Sequence, residues 1–327
     1  MYQVAVFESL SDNSVKNNIR QIRDVIPEME IKPELALIQN YPVIRYYNNS
    51  GNQLDIPRIK EDYFELISSA AELASELSIY LCPGILLEVE AENIYFSSIL
   101  INPLGEIILK QRQIYINSES DPRVKPEKVK DGNIKNGSII NYAETELGKI
   151  GLILDRDCWH PGIGRVMSLE NVDIVLAVNK INGNRNSINK NYSGNLASDV
   201  YTAVAGNPWK QLAGVWSQVQ QNQFFAVEAS VGGQNLIHAP CEITPCRTGI
   251  LAPVGTEESA KVKSIEPYFE EISSMFKSVD DYKIITTEID LNKLKSIRSS
   301  YPLFKYLNKP LYCNEMWGGA CAGSSQE

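Results

Sequence analysis

The stretch that decides the fold is Lys149 to Arg165, which reads KIGLILDRDCWHPGIGR. Its apolar run from Ile150 to Leu154 ends abruptly in a polar cluster, a pattern typical of a buried strand that delivers side chains to its carboxyl-terminal edge. Pro161 and Gly162 then break the chain. This layout predicts a strand-to-helix elbow, the position where α/β enzymes commonly carry a nucleophile.

Composition predicts a large globular domain without a nucleic-acid partner. The chain has 327 residues, of which 43% are hydrophobic, so it can bury a sizeable core. Its net charge is −9, and no block of Lys or Arg interrupts the sequence. Such a surface repels a phosphate backbone.

Several absences favour a cytoplasmic protein that does not enter membranes. The amino terminus, MYQVAVFESL, lacks the basic region and long apolar run of a signal peptide. No apolar stretch is long enough to span a bilayer. The six cysteines include no CxxC pair, so neither a zinc knuckle nor a redox motif is predicted.

Strand-like and helix-like segments alternate along the chain. Helical spacing occurs at 14–26, 61–75 and 209–223. The predicted strands are 4–7, 35–38, 80–87, 94–100, 107–109, 141–146, 150–154, 172–178, 224–230 and 282–289. The loop NPLGE predicts a hairpin in which Gly105 has a positive φ. This order predicts an α/β fold of two mixed sheets with helices packed outside.

Several segments occur in a particular order: GEIILKQR, LGKIG, NVDIVL, NQFFAVEASVGG, and HAPCEITP followed by TGIL. Their order and spacing resemble the carbon-nitrogen hydrolase (nitrilase) superfamily over almost the whole chain. The resemblance implies an αββα sandwich that hydrolyses amides or nitriles through a Glu, a Lys and a Cys, each at the end of a different strand. It also implies a hydrolase-like domain at 1–285 and a carboxy-terminal arm and mobile tail at 286–327. Such arms cross to a neighbour, so a homodimer or larger oligomer is expected.

The elbow of that family reads G-x-x-x-C-x-D-x-x-x-P-x-x-x-R. Gly151, Asp157, Pro161 and Arg165 match this frame without a gap, which places Asp155 at the position of the cysteine. The lysine position falls on Gln113, directly after Arg112. The glutamate position, after the strand at 35–38, falls on Asn40.

These three substitutions predict a protein without the family's catalytic residues. The mechanism needs a thiolate, a proton-carrying carboxylate and a cation for the oxyanion, and Asp155, Asn40 and Gln113 supply none of these roles. We therefore predict a pseudoenzyme that binds a small molecule or acts as a partner subunit, with no cofactor. The two amides are expected to donate hydrogen bonds to the Asp155 carboxylate as a polar plug. Residues expected to support this pocket are Arg112 or Arg156 as charge balance, Glu119, Asp157 and Cys158.

Two active alternatives remain open at this stage. The first is an amidase or nitrilase with an offset triad of Cys158 as nucleophile, Lys110 as cation and Glu34 or Glu8 as base. We prefer to interpret Cys158 as a small packing residue behind the elbow. The second is a covalent enzyme that uses Asp155. A metal site at Asp155, Asp157, Cys158 and His160 is not expected, because these residues are too close in sequence to wrap one ion.

Overall fold

The computed structural model describes residues 1–9, 15–40, 56–116, 134–180, 215–231, 249–251 and 282–300. The helices are α1 (Val15–Val25), α2 (Ile56–Leu77), α3 (Pro161–Leu169), α4 (Val215–Asn222) and α5 (Leu291–Ser300). The strands are β1 (Tyr2–Ser9), β2 (Leu35–Ile38), β3 (Tyr80–Cys82), β4 (Leu86–Glu90), β5 (Asn93–Ile101), β6 (Ile107–Arg112), β7 (Tyr142–Thr145), β8 (Gly148–Leu154), β9 (Ile174–Lys180), β10 (Phe225–Val231), β11 (Gly249–Leu251) and β12 (Tyr282–Ile289). Short 3₁₀ helices lie at Ile26–Glu28 and Asp155–Trp159, and we call the second one the elbow helix.

The strands form two mixed sheets. The seven-stranded sheet has the order β12-β1-β2-β3-β5-β4, with β6 also paired to β5. The five-stranded sheet has the order β11-β10-β9-β8-β7. Strands β8, β9 and β10 are parallel, whereas β7 and β11 pair antiparallel at the two sides.

Alternating side chains place one core between the sheets and one under each helix layer. Leu35 and Leu37 of β2 pack with Leu152 of β8 in the core between the sheets. Ala36 and Ile38 point the other way, to the core beneath α1 and α2. On the second sheet, a third core lies beneath α3 and α4. The predicted αββα sandwich is therefore confirmed, and it follows from the two-residue period of a strand with two buried faces.

Most predicted elements are present, with one clear correction. The predicted strand at 80–87 is two strands, β3 and β4, because Pro83 and Gly84 interrupt it and Gly84 has a φ of +83°. The predicted positive φ at Gly105 is confirmed, at +80°. Helix α2 is longer than predicted at both ends.

The carboxy-terminal helix α5 packs on the same chain. Leu294 is buried in the core between the sheets. The Arg298 guanidinium donates hydrogen bonds to Asp173 Oδ1 and to the carbonyls of Val172 and Gln223. The predicted boundary at 285 falls inside β12, and the division into a domain and a carboxy-terminal arm stays a prediction. Residues 301–327, which include the rest of the predicted arm, lie outside the described residues.

Candidate functional site

The elbow has the geometry that its sequence predicts. Strand β8 ends at Leu154, the elbow helix follows, and α3 begins at Pro161. Proline suits the first turn of a helix because its missing N–H would have no intrahelical partner there. The first residue of the elbow, Asp155, is buried and has a φ of +47°. A left-handed conformation in a residue other than glycine is strained, and such strain is concentrated at functional sites.

Gly151 in β8 explains how α3 returns over its own strand. A Cβ at Gly151 would lie 3.0 Å from Met167 Sδ and 3.3 Å from Met167 Cε. The glycine therefore gives the methionine of α3 room to pack against the strand. This packing fixes the direction in which the chain leaves the elbow.

Asp157 ties the elbow to the end of β6. Its carboxylate accepts hydrogen bonds from the backbone N–H of Ile114, at 3.0 Å and 3.2 Å, and of Tyr115, at 2.8 Å. The side chain is 1% exposed. A carboxylate that accepts several backbone N–H groups in a buried place is a strong structural link. The predicted supporting role of Asp157 thus has a concrete form, as a link between the two sheets.

Strand directions bring Asn40, Gln113 and Asp155 to one end of the sandwich. Strand β2 is parallel to β3, β5 is antiparallel to β3, and β6 is antiparallel to β5. Strands β2 and β6 therefore run in the same direction, and Asn40 and Gln113 both follow a carboxyl end at the same edge. The hydrogen bonds to Asp157 join this edge to the elbow after β8.

The side-chain amides of Asn40 and Gln113 are anchored to main-chain carbonyls. Asn40 Nδ2 donates to the carbonyl of Ile85 at 2.7 Å, and Gln113 Nε2 donates to the carbonyl of Tyr115 at 2.9 Å. Both side chains are buried. Donation from these amides to the Asp155 carboxylate stays a prediction.

Gly84 packs tightly against Asn40. A Cβ at Gly84 would lie 2.7 Å from Asn40 Cβ, from Asn40 N and from the carbonyl oxygen of Ile38. Ser98 Oγ donates to the carbonyl of Gly84, and Ile85 N donates to the carbonyl of Asn40. Asn40 is thus enclosed by the backbone that follows β3.

Lys110 and Arg112 point to the helix-covered face of the sheet. Lys110 Nζ lies 2.6 Å and Arg112 Nη2 lies 2.7 Å from Glu88 Oε1, and Arg112 Nη1 lies 3.1 Å from Glu90 Oε2. Leu109, one residue before Lys110, packs in the core between the sheets. Because side chains alternate along a strand, Lys110 and Arg112 share the opposite face.

On this face the Arg112 guanidinium lies 3.8 Å over the Tyr95 ring and pairs with Glu88 and Glu90. That Arg112 or Arg156 balances the charge of Asp155 stays a prediction. Burial alone would raise the pKa of Glu88, but hydrogen bonds and charge from Arg112 and Lys110 outweigh it and lower that pKa. The network is therefore ionised and is part of the sheet-to-α2 packing.

Cys158 lies in the core beneath α3 and α4. Its side chain is 1% exposed and packs with Ile163 and Met167 of α3. Leu152 and Leu154 of β8 face the other way, into the core between the sheets. The thiol therefore has the apolar surroundings that are typical of a packing residue.

The rest of the elbow helix is more exposed. Trp159 is 39% exposed, which excludes a position in the core. The His160 ring stacks on the Tyr115 ring with centroids 3.5 Å apart and an interplanar angle of 16°. Partial burial lowers the pKa of His160.

The other predicted residues are placed elsewhere or lie outside the described residues. Glu34 precedes β2 and accepts a hydrogen bond from the backbone N–H of Gln3, whereas Asn40 follows the strand, roughly 20 Å further along an extended chain. Glu119 lies outside the described residues, and the side chain of Glu8 is not described.

Gln218 and Gln111 are buried and support the site, but no motif in the sequence predicts a role for either. Gln218 of α4 donates from Nε2 to the carbonyl of Cys158 at 2.6 Å. Gln111 of β6 donates to the carbonyl of Ile139 and accepts from the backbone N–H of Asn141. A glutamine at an apolar position of a helix, as at 218, is a signal for a buried hydrogen bond.

Two kinds of feature are absent from the described ranges. They contain no group of three His, Cys, Asp or Glu side chains arranged to hold a metal ion. None of the described helices combines the length and the apolarity that crossing a lipid bilayer requires.

Comparison with protein families decides the relationship. The sequence profile of the carbon-nitrogen hydrolase family matches residues 29–242, which is more than half of the chain. The chain belongs to the carbon-nitrogen hydrolase family. Comparison with curated proteins gave no significant match.

Solved structures show that the carbon-nitrogen hydrolase fold extends beyond the matched region. A carbon-nitrogen hydrolase from Helicobacter pylori G27 superposes with a TM-score of 0.64 at 15% identity, over 96% of this chain and 98% of that one. Saccharomyces cerevisiae Nit3, a member of branch 10 of the nitrilase superfamily, gives 0.59 at 16% identity, over 93% and 96%. The NitN amidase from Neterenkonia sp. AN1 gives 0.56 at 13% identity, over 92% and 98%. At these identities the likeness concerns the fold alone.

Proposed function

We propose that this carbon-nitrogen hydrolase family member does not hydrolyse carbon-nitrogen bonds by the family's mechanism. It instead uses the scaffold to bind a small molecule or to act as a partner subunit. The observation that carries the proposal is the elbow, where the strained, buried first position belongs to Asp155. A carboxylate is a weak nucleophile towards an amide, and Asn40 cannot carry a proton as a glutamate does.

The positions of the other candidate groups support this proposal. A nucleophilic cysteine has to reach the substrate, but the Cys158 side chain packs among the apolar residues beneath α3. Lys110, the alternative cation, pairs with Glu88 on the helix-covered face. Glu34, one of the two alternative bases, precedes β2, whereas Cys158 follows β8. An offset triad that used Glu34 would therefore need groups from separate faces and opposite ends of the sandwich.

The hydrolysis test compares the wild-type protein with single variants on a panel of amides and nitriles, by ammonia release. We expect no turnover by wild type above that of the variant Cys158→Ala. Turnover that Cys158→Ala abolishes would instead establish the offset triad. Turnover that survives Cys158→Ala but is lost in Asp155→Ala would establish an Asp155-based enzyme.

A gain-of-function variant provides the positive control. The triple variant Asn40→Glu, Gln113→Lys and Asp155→Cys restores the three residue types of the family at the three corners. We expect it to react with an iodoacetamide probe at the introduced thiol, because position 155 takes the place of the nucleophile in the elbow motif of the family.

A cytoplasmic location remains part of this proposal.

Small-molecule binding has its own measurement. Thermal shift against a library of amides, amines and carboxylic acids should find compounds that raise the melting temperature of wild type, since a ligand that binds only the folded state stabilises it. The gain should be smaller in Asp155→Ala. If the library finds no compound and no protein co-purifies, both forms of the proposal are wrong.

A further inference from the structure

Gln218 of α4 makes a second contact with the elbow, in addition to the one made by Asp157. Its Nε2 lies 2.6 Å from the carbonyl oxygen of Cys158 and 3.5 Å from that of Asp157. The side chain is 1% exposed. Hydrogen bonds in such a buried place constrain both partners, because a buried polar group without a partner is costly.

Gly164 of α3 makes this contact possible. A Cβ at Gly164 would overlap Gln218 Oε1 and would lie 3.1 Å from Gln218 Cδ. The glutamine therefore occupies the space that an alanine would need. One side chain thus touches both the elbow helix and the first turns of α3.

The elbow helix is consequently held by two separate side chains. The Asp157 carboxylate binds the backbone after β6, and Gln218 binds the carbonyls of the same short helix. Strained backbone such as that of Asp155 persists only where the surrounding structure over-determines it. Removal of one of the two anchors should let the elbow relax.

We propose that Gln218 is a positioning residue that fixes the orientation of the side chain at position 155. It acts through the carbonyls of the elbow helix and needs glycine at position 164. This role is independent of whether the site binds a ligand or catalyses a reaction. It assigns a function in the site to α4, a helix that the family's elbow motif does not include.

The test uses a thiol introduced by Asp155→Cys as the reporter. Its alkylation rate with iodoacetamide is measured on the folded, full-length protein over a range of pH, with each cysteine resolved by peptide mass mapping. In this background Gln218→Leu should change the rate at position 155 by about tenfold or shift its pH profile, because reactivity depends on placement and on the thiolate fraction.

Asn222→Leu is the matched control. Asn222 lies one turn further along α4, is equally buried and faces Gly164, but its side-chain amide makes no hydrogen bond to the elbow helix. Asn222→Leu should leave the rate at position 155 within about twofold, although it disturbs the same helix pair.

Gly164→Ala gives a second route that does not depend on Gln218→Leu folding. The overlap falls on the far end of a flexible side chain, so the protein should fold while Gln218 moves away from the elbow. The rate at position 155 should then change in Gly164→Ala but not further when Gln218→Ala is added. An unchanged rate in both Gln218→Leu and Gly164→Ala would overturn the proposal. An equal change in Asn222→Leu would also overturn it, since it would show general loosening.

Discussion

At the scale of single residues, Asp157 joins parts of the chain that are 42 residues apart in sequence. Asp157→Ala would leave the N–H groups of Ile114 and Tyr115 without their carboxylate acceptor. We expect the free energy of unfolding to fall by about 2–4 kcal/mol, the cost of losing such buried bonds. Urea denaturation measures the change.

Asp157→Asn is the control for this prediction. The amide keeps an acceptor oxygen but loses the charge. Asp157→Asn should therefore lower the free energy of unfolding clearly less than Asp157→Ala does. If both variants have the same free energy of unfolding as the wild type, the link between β6 and the elbow does not contribute to stability.

Cys82 makes the stability sensitive to alkaline pH. Burial raises the pKa of its thiol to about 11, and hydrogen bonds with Ser98 and Gly84 offset only part of that rise. In the unfolded chain the pKa of a cysteine thiol is about 8.5. The stabilising contribution of the neutral Cys82 thiol is therefore complete below the pKa of the unfolded state, and it is lost as the pH rises towards the pKa of the folded state.

We accordingly expect the free energy of unfolding of wild type to fall across this interval more steeply than that of Cys82→Ala or Cys82→Ser. Denaturation at a series of pH values gives the three slopes. Parallel slopes would show that the folded and unfolded thiols ionise alike.

At the scale of secondary-structure elements, α5 is fastened to the second sheet by Arg298. Arg298→Ala leaves Asp173 and two backbone carbonyls without this donor. The expected loss is about 2–3 kcal/mol, since hydrogen bonds to charged groups are stronger than neutral ones. Hydrogen exchange should become faster in α5 and in the strand β12 that precedes it.

Lys295→Ala serves as the matched substitution in the same helix, because Lys295 is exposed. It should leave the exchange of α5 and the free energy of unfolding almost unchanged. Equal effects of the two variants would mean that helix propensity, rather than the Arg298 contacts, holds α5.

Local patterns were enough to predict many elements but not their partners. Strands β2 and β12 lie at the predicted residues. For β2 the signal is local, because it is a continuous apolar run between breakers. Pro83 and Gly84 are the local signal for the end of β3, but they lie within an otherwise apolar run that resembles one continuous strand. The partners of Arg112 and Asp157 could not be predicted, since they depend on strand neighbours that are distant in sequence.

At the scale of the whole molecule, the oligomeric state is the property that the family resemblance predicts most directly. We expect light scattering coupled to size-exclusion chromatography to give at least twice the 36.6 kDa mass of the chain. If a partner subunit is required, a mass well above that of the single chain should appear only after co-expression with that partner. A strict monomer at micromolar concentration under both conditions would contradict the partner-subunit form of the proposal.

The pairing of β1 with β12 has a consequence for synthesis on the ribosome. Tyr2 lies opposite Ile289, so β1 meets this sheet neighbour only after the whole chain from β1 to β12 has been made. Until then β1 can pair with β2 alone, and its other edge stays open to wrong neighbours, a condition that favours aggregation. Nascent chains of this protein should therefore depend on chaperones until translation has passed β12.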